Sequence, residues 1–387
     1  MNYKSGITLL MLVLTGCSEP QPAAPENIEQ ASSVLTATGQ WVQTAGKEVM
    51  SDPQTSGLTV VDGKLVTVSD GSADAAQQRK LHVIDPATAT LGVEQRSFSM
   101  ASRVRRSCFY QYLSDAPDLE ALVVDPNDSD VFYTVTEDAT RTGALSVKCQ
   151  RRYKDTGSTD YPTLLVRLER MNNDRMMMTH VRPVQFALRD DVGDFPNDGI
   201  EGMALSDNNT LYLGLEKDSQ GQPRIFSVIM DEAFWETDEF ARVIDSQLSL
   251  PVFTRGNHPI NGLTWYRHPQ SQVAYLLAAA RNDNELWVVR ADGEGTTLRV
   301  PMQFTAPTDG ASADCSESHE VMDNASIEGV AIIDSTLWLI NDPWKKNYLK
   351  NVQCEALRPH YEAMAPLIFS VPLQDEWFSI EAENPAS

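Results

Sequence analysis

Acidic side chains at matching places along the chain are the residues best suited to chemistry. Each lies beside a short apolar segment, and the set comprises Asp70, Glu120, Glu137, Glu201, Glu216, Glu328 and Asp342. Carboxylates that lie close together raise one another's pKa unless a cation lies between them. Hard oxygen ligands in this number suit Ca²⁺ better than Zn²⁺. The sequence therefore predicts a Ca²⁺ site wherever the fold brings these seven side chains together.

The same acids have a second interpretation that involves no metal. Carboxylates at strand ends can accept hydrogen bonds from backbone N–H groups and so join one structural unit to the next. Both interpretations stay open at this point, and both can hold at once.

The overall charge limits the classes of partner. The chain of 387 residues has 31 basic and 54 acidic residues, for a net charge of −23 and an isoelectric point near 4.6. Phosphate backbones and anionic membrane surfaces repel a protein this acidic, so we expect no nucleic-acid partner and no attraction of its bulk to an anionic membrane. Hydrophobic residues make up 42% of the chain, which indicates a folded protein rather than a disordered one.

Five segments share one plan that would position the acids. Each segment is a short strand, a polar turn and a second short strand, which predicts a β-hairpin. The segments span 56–70, 119–138, 200–218, 260–280 and 327–342.

The hairpin turns predict which residues face each other. Turns centred at Gly63, Asp128–Ser129, Asn208–Asn209 and Ser335 place Ser56 opposite Asp70, Glu120 opposite Glu137, Glu201 opposite Glu216 and Glu328 opposite Asp342. The fourth hairpin departs from this pattern, with Asn261 at the first place, Ala278 or Ala279 at the second, and Arg281 and Asp283 just after. We therefore expect the seven carboxylates at one mouth of a shared channel.

Further apolar segments extend each hairpin. A third strand is predicted at 81–84, 164–168, 225–229, 286–289 and 367–371, and a fourth near 93–100, 176–188, 243–253 and 297–305. The fifth unit has no fourth strand of its own before the C-terminus, and 39–44 could supply it from the other end of the chain. Four strands in each of several repeats are typical of an all-β fold, the β-propeller. The count gives five blades; six result if 28–55 or 138–198 holds a degenerate blade, and a β-sandwich is the alternative.

The repeated segments resemble a known family. Gly57-Leu58 through Asp70, Leu119-Glu120-Ala121-Leu122, and Asp198-Gly199-Ile200-Glu201-Gly202 through Glu216 are similar to the phytase-like (esterase-like) propellers and the related SdiA-regulated propellers of bacterial envelopes. The resemblance covers roughly 55–372. It implies a propeller that is often associated with calcium. The family's phosphate-binding Lys and Arg residues have no counterparts here that can be matched residue by residue.

The N-terminus predicts export and lipidation. Lys4 precedes a short apolar run, 7–14, that is too short to span a bilayer. Leu14-Thr15-Gly16-Cys17 follows and resembles the lipobox of bacterial lipoproteins, which implies acylation of Cys17. Ser18 resembles the sorting signal for the outer membrane. We expect a lipoprotein signal at 1–16, a lipidated tether at 17–38, a propeller domain at 39–375 and an acidic tail at 376–387.

Four cysteines remain after Cys17. An exported protein meets an oxidising environment, so an even number of cysteines predicts disulfides. Pairing of near neighbours, Cys108 with Cys149 and Cys315 with Cys354, is the preferred assignment. A zinc site is the rival, but the sequence has no Cys-x-x-Cys.

These features together predict a lipid-anchored protein of the bacterial envelope. It would bind a small molecule or a protein at the propeller face, with Ca²⁺ on the axis and a membrane contact through its lipid. The alternative is a calcium-assisted hydrolase of phosphoesters or esters. No Gly-x-Ser-x-Gly elbow supports a serine hydrolase. The basic cluster Arg103-Val-Arg-Arg106 could hold an anion, and a solvated loop is its other interpretation.

Overall fold

The computed structural model describes residues 28–93, 97–137, 145–172, 174–193, 199–308, 315 and 317–378. Predictions for the signal segment, Cys17, the first part of the tether and residues 379–387 lie outside this part of the chain. None of the helices in the described ranges is long and apolar enough to cross a membrane.

The described chain is mostly β-structure with a few short helices. The strands, in chain order, are β1 Ile28–Gln30, β2 Leu35–Trp41, β3 Thr55–Val61, β4 Lys64–Ser69, β5 Leu81–Asp85, β6 Thr90–Leu91, β7 Ser99–Met100, β8 Leu119–Asp125, β9 Asp128–Thr136, β10 Leu164–Arg170, β11 Met176–Gln185, β12 Ile200–Leu205, β13 Thr210–Leu215, β14 Arg224–Ile229, β15 Ala241–Arg242, β16 Ile244–Asp245, β17 Ile260–Arg267, β18 Ala274–Ala280, β19 Glu285–Arg290, β20 Thr297–Pro307, β21 His319–Met322, β22 Ile327–Ile333, β23 Thr336–Asn341 and β24 Leu367–Pro372. The α-helices are α1 Ser102–Arg105, α2 Tyr110–Ser114, α3 Val147–Arg152 and α4 Arg358–Glu362. Short 3₁₀ helices span Leu188–Asp190, Arg281–Asp283, Tyr348–Asn351, Glu355–Leu357 and Asp375–Phe378.

The strands form five antiparallel units of four strands each. Unit 1 is β3-β4-β5-β6, unit 2 is β8-β9-β10-β11, unit 3 is β12-β13-β14-β16, unit 4 is β17-β18-β19-β20 and unit 5 is β22-β23-β24-β2. The five predicted hairpins and all five predicted third strands are confirmed. In unit 1 the fourth strand is β6 rather than 93–100, because Ser99–Met100 pairs in parallel with β11 of unit 2.

Strand β2 completes unit 5 from the N-terminal side. Its residues Thr38 to Trp41 pair antiparallel with β24, as predicted for 39–44. β2 also pairs in parallel with β20, so units 4 and 5 merge into a ten-stranded sheet that includes β1 and β21. Pairing therefore ties the start of the folded chain to its last strand and removes an unpaired edge.

Described residues outside the predicted domain limits of 39 and 375 also contribute to the fold. β1 and the first half of β2 lie within the predicted tether, 17–38. Residues Ile28–Gln30 have no apolar period that would predict a strand, but they pair with Thr297–Arg299 of β20. At the other end, Trp377 and Phe378 are buried, and the Phe378 ring lies 4.8 Å from that of Tyr266. Residues on both sides of the predicted limits thus take part in strand pairing or in the packed core.

The first strands of the units follow one another in a closed cycle. β3 packs on β8, β8 on β12, β12 on β17, β17 on β22, and β22 returns to β3. Five hydrophobic clusters lie between consecutive units, one for each step of the cycle. The core is therefore divided among the faces of neighbouring sheets.

Two disulfides join cysteines that are distant in sequence. They join Cys108 to Cys149 and Cys315 to Cys354, with Cα–Cα distances of 5.6 and 5.2 Å. The predicted pairing is confirmed.

Candidate functional site

A β-bulge in the first strand positions each acid of the site. In unit 3, Ile200 pairs with Leu215 and Gly202 pairs with Gly214, so Glu201 has no residue opposite it. The same shift leaves Glu120, Asn261 and Glu328 at bulges in units 2, 4 and 5. A bulge bends the strand and redirects the side chain of the extra residue.

The bulges overturn the predicted pairs. Glu120 does not lie opposite Glu137, nor Glu201 opposite Glu216, nor Glu328 opposite Asp342. In unit 1, Ser56 faces Val68 rather than Asp70, with the bulge at Gly57 and Leu58. Two departures combine in units 1, 3 and 5. The turns are centred half a residue earlier than predicted, since Val61 pairs with Lys64, Leu205 with Leu211 and Ile333 with Thr336, and the bulges then shift the pairing further.

In units 3, 4 and 5, a glycine after the bulged position allows neighbouring first strands to approach closely. A Cβ atom on Gly329 would lie 2.7 Å from the Leu58 Cβ of unit 1, and one on Gly262 would lie 2.9 Å from Val330 of unit 5. A Cβ on Gly202 would lie 3.0 Å from Leu263 of unit 4. The repeated Glu-Gly or Asn-Gly pair therefore combines a polar side chain with the space for the adjacent unit.

The bulged acids converge across the units. Single carboxylate oxygens of Glu120, Glu201 and Glu328, from units 2, 3 and 5, lie within 4.8 Å of one another. The same limit holds for Glu137, Glu201 and Glu216 together. The structure thus brings together predicted acids that are distant in sequence.

Two further carboxylates lie on the side of units 1 and 2. Oxygens of Asp70, Asp118 and Glu120 meet the same limit of 4.8 Å. Asp342 is buried, and its pKa is raised by burial and then by the charge of Asp70. Six of the seven predicted acids therefore belong to one connected group of carboxylates, and Asp342 is close enough for the charge of Asp70 to raise its pKa.

Asp118 was not among the predicted acids. It directly precedes β8, one residue outside the hairpin motif, and accepts a hydrogen bond of 2.9 Å from the Gly71 backbone N–H. It lies only two residues before Glu120, but outside the repeated segment that begins at Leu119, so the repeat gave no signal for its inclusion.

Arg281 lies among the acids and is the main difference from the expected site. Its guanidinium forms an ion pair with Glu328 and lies 3.7 Å from a carboxylate oxygen of Glu216. Burial alone would lower the pKa of Arg281, but Glu328, Glu201 and Glu216 hold the pKa above its ordinary value. The unit that lacks acids at the repeat positions therefore supplies a positive charge instead.

The negative charge that Arg281 does not balance favours either protonation of the carboxylates or binding of a cation beside them. Burial, followed by the charge of Asp118, raises the pKa of Asp70 to about 7. Burial also raises the pKa of Glu120 well above its usual range, with Glu201 the largest charge contribution. For Glu328, burial and Asp342 raise the pKa and outweigh the opposing effect of Arg281.

Neutral side chains at the repeat positions support the acids. Ser56 donates to Glu120 at 3.0 Å, and Asn261 Nδ2 donates to Glu201 at 3.0 Å. The Oδ1 atoms of Asn261 and Asp342 are buried and have no hydrogen-bond partner among the described residues. Such buried oxygens, beside a surplus of carboxylates, fit a hard cation as an additional partner.

Comparisons with known proteins add little to this geometry. No family model and no curated protein matches the chain. Among solved structures, it is similar to the major allergen Mala s 1 of Malassezia sympodialis, with 10% identity, a TM-score of 0.41, and coverage of 87% of this chain and 97% of that one. A putative exo-beta-1,3-galactanase from Bifidobacterium bifidum has 10% identity, a TM-score of 0.45 and coverage of 89% and 94%. A putative glycoside hydrolase from Bacteroides ovatus has 10% identity, a TM-score of 0.41 and coverage of 92% and 97%. Likenesses this distant carry no argument about activity.

Proposed function

We propose that the five units are the blades of a β-propeller. The closed cycle of first strands and the hydrophobic cluster between each pair of consecutive units support this interpretation. β2 would close the ring by completing the fifth blade. Two regions were candidates for a sixth blade. The described part of 28–55 contains β1 and β2, and the described part of 138–198 contains α3, β10 and β11.

The proposed function is that of a lipid-anchored envelope protein that binds Ca²⁺ on the propeller axis and a ligand or partner at its face. The observation that carries the cation proposal is the excess of buried carboxylates over Arg281 in the acidic site. Two charges on a Ca²⁺ ion would offset part of that excess, and oxygen ligands match its preference. Without such a cation, burial and mutual repulsion favour protonated acids.

The side of the site formed by units 1 and 2 is the proposed position of the ion. Arg281 contacts Glu216 and Glu328, from units 3 and 5. Asp70, Asp118 and Glu120 form a separate group of three carboxylates. Glu120 belongs to both this group and the group with Glu201 and Glu328. Neutralising Glu120 should therefore lower the affinity for the ion more than neutralising any other of these acids.

Calorimetric titration of metal-stripped, unlipidated protein tests this proposal. We expect Ca²⁺ to bind with a stoichiometry near one, and Glu120→Gln to weaken the binding at least tenfold. Asp334→Asn is the matched control, because Asp334 is exposed in the turn between β22 and β23. Equal binding by the Glu120 variant and the wild type would reject this site.

Calcium-assisted hydrolysis of phosphoesters or esters is the second candidate. It is favoured by one observation, a basic side chain within reach of the acids: Arg281, whose Cζ also lies 5.8 Å from the centre of the Trp344 ring. A guanidinium can bind an anionic substrate group. Assays with p-nitrophenyl phosphate and p-nitrophenyl acetate, with and without Ca²⁺, would test it; no turnover above a Glu120→Gln control would eliminate this candidate.

A further inference from the structure

Positive charge is concentrated on one surface of this acidic protein. Two segments, 103–106 and 148–154, hold seven of the 31 basic residues, all of them exposed: Arg103, Arg105, Arg106, Lys148, Arg151, Arg152 and Lys154. We call this set the basic face. The basic face is positively charged, although the whole chain has a net charge of −23.

The two basic segments are held together. The disulfide between Cys108 and Cys149 joins the segment of α1 to that of α3. Beneath it, the buried rings of Phe109 and Tyr153 lie 4.9 Å apart, and Phe240 meets Tyr153 edge-on at 5.5 Å. The basic face is therefore one surface supported by a packed aromatic cluster.

Most of these charges have no acidic partner. Arg152 pairs with Asp238 and Glu239. Over the ranges that the structure describes, the other six basic residues form no ion pair, although acidic residues outnumber basic ones in the chain. Unpaired, exposed guanidinium and ammonium groups remain available for an anionic partner.

A cavity with methionine walls opens beside the basic face. It has a volume of about 630 Å³ and lies between β7, α1 and the turn from β10 to β11. Its lining residues are Ser99, Met100, Arg105, Met171, Asn172, Arg175 and Met177. Thioether side chains provide adaptable apolar walls, and Arg105 belongs to both the cavity and the basic face. This combination suits a molecule with an anionic head and an apolar body.

We propose that the basic face binds anionic phospholipid at a membrane surface, with part of one lipid entering the cavity. Two exposed apolar side chains lie close in sequence to the basic residues: Tyr110, at the start of α2, at 41% exposure, and Val147, on α3, at 64%. They suit the boundary between headgroups and acyl chains. The phosphates of a nucleic acid could bind the basic residues, but a nucleic acid has no acyl chain to occupy the cavity lined by methionines. This inference goes beyond the proposed function and does not depend on the lipid anchor or on Ca²⁺.

Co-sedimentation with vesicles tests the inference, using unlipidated Cys17→Ser protein so that no anchor contributes. We expect binding to vesicles of phosphatidylglycerol and phosphatidylcholine, and none to phosphatidylcholine alone. The variant Arg103→Gln/Arg105→Gln/Arg106→Gln should bind about tenfold to a hundredfold more weakly, since each basic residue near an anionic surface contributes of the order of a tenfold effect or less. Added salt should weaken wild-type binding.

The matched control removes three exposed charges elsewhere. Lys47→Gln/Lys346→Gln/Lys350→Gln changes the net charge equally and should bind like the wild type, and Arg105→Gln alone serves if the triple variant melts early. Met177→Gln leaves the charge unchanged and should also weaken vesicle binding. Equal losses in the two triple variants, binding to neutral vesicles, or tighter binding to a DNA duplex than to the anionic vesicles would overturn the inference.

Discussion

Arg281 is the residue that most changes the interpretation of the acidic site. It follows β18 in the unit whose repeat positions hold Asn261 and alanine, so a deviation in the pattern marks the place of a compensating charge. The sequence shows both the deviation and the arginine just after it. It cannot show that the side chain turns toward Glu328 of the next unit, because that contact depends on how the sheets pack.

Removal of Arg281 should leave buried carboxylates without their cation. We expect Arg281→Met to lower the unfolding free energy of metal-free protein by about 3–5 kcal/mol, the usual effect of breaking a buried ion pair. Ca²⁺ should recover part of that loss. Chemical denaturation in chelator and in Ca²⁺ measures both effects.

The control for Arg281 is an exposed arginine. Arg267 pairs with Asp207 at 2.6 Å, with both side chains at least 41% exposed. Arg267→Met should therefore change stability by about 1 kcal/mol or less. Similar losses for the two variants would contradict the role assigned to Arg281.

The raised pKa of Asp70 predicts a pH dependence with a definite sign. Its pKa is about 7 in the folded protein, against about 3.9 for an unfolded chain. The folded state therefore holds more protons between these values, and its stability falls as pH rises through that interval. Glu120, Glu328 and Asp342 act in the same direction.

Thermal melting of metal-free protein between pH 5 and pH 8 measures this dependence. We expect a higher melting temperature at the lower pH and a shallower slope for Asp70→Asn. Asp334→Asn should keep the wild-type slope, because Asp334 is exposed. A melting temperature that increases from pH 5 to pH 8 would contradict the conclusion that the buried acids have raised pKa values in the folded protein.

At the scale of elements, the bulge and the glycine after it act together: the bulge redirects the acidic side chain, and the glycine lets the adjacent unit pack closely. The sequence predicted the hairpins because strand, turn and strand follow local patterns. It did not predict the register, because the turn between β12 and β13 is centred half a residue earlier than predicted and the bulge at Glu201 shifts the pairing again. The sequence nevertheless predicts that the acids lie close together, since the start of the first strand and the end of the second lie at the same end of each hairpin.

The glycine after the bulge should be intolerant of a side chain. A Cβ on Gly329 would lie 2.5 Å from Ile340, 2.7 Å from Leu58 and 2.9 Å from the Gly57 backbone. We expect Gly329→Ala to destabilise the protein by about 1–3 kcal/mol through overpacking. Gly46→Ala, where the nearest atom would be 3.5 Å away, should be nearly neutral in the same denaturation assay. Equal stability of the two variants would contradict close packing of β22 on β3.

At the scale of the whole molecule, the chain closes on itself through β2. The missing fourth strand of the last unit could be inferred from the sequence, and the pairing of Gly39 with Phe369 bears this out. The extra pairing of β2 with β20 could not, because a parallel contact between units leaves no local pattern. The joining of the two basic segments, by contrast, follows from the predicted disulfide between Cys108 and Cys149.

The predicted anchor concerns the whole molecule as well. Cys17→Ser should move the protein from the membrane fraction to the soluble fraction of the envelope at physiological salt, because several acyl chains together give stable anchoring. Fractionation followed by immunoblotting measures this, with Cys17 left intact as the reference. Any residual binding through the basic face should disappear at high salt. A variant that stays in the membrane fraction at high salt would refute lipidation at Cys17.

The most direct test of the central claim, a cation at the acidic site, is the melting temperature of metal-stripped protein with Ca²⁺ and with chelator. An ion that binds only the folded state adds about 2.7 kcal/mol at one hundred times its dissociation constant. For a chain of this size that amounts to an increase of roughly several degrees. We expect this increase with Ca²⁺, a smaller one with Mg²⁺ because it retains its waters, and almost none in Glu120→Gln. Identical melting temperatures in Ca²⁺ and chelator would show that Arg281 and protonation alone balance the acids, and would contradict the claim.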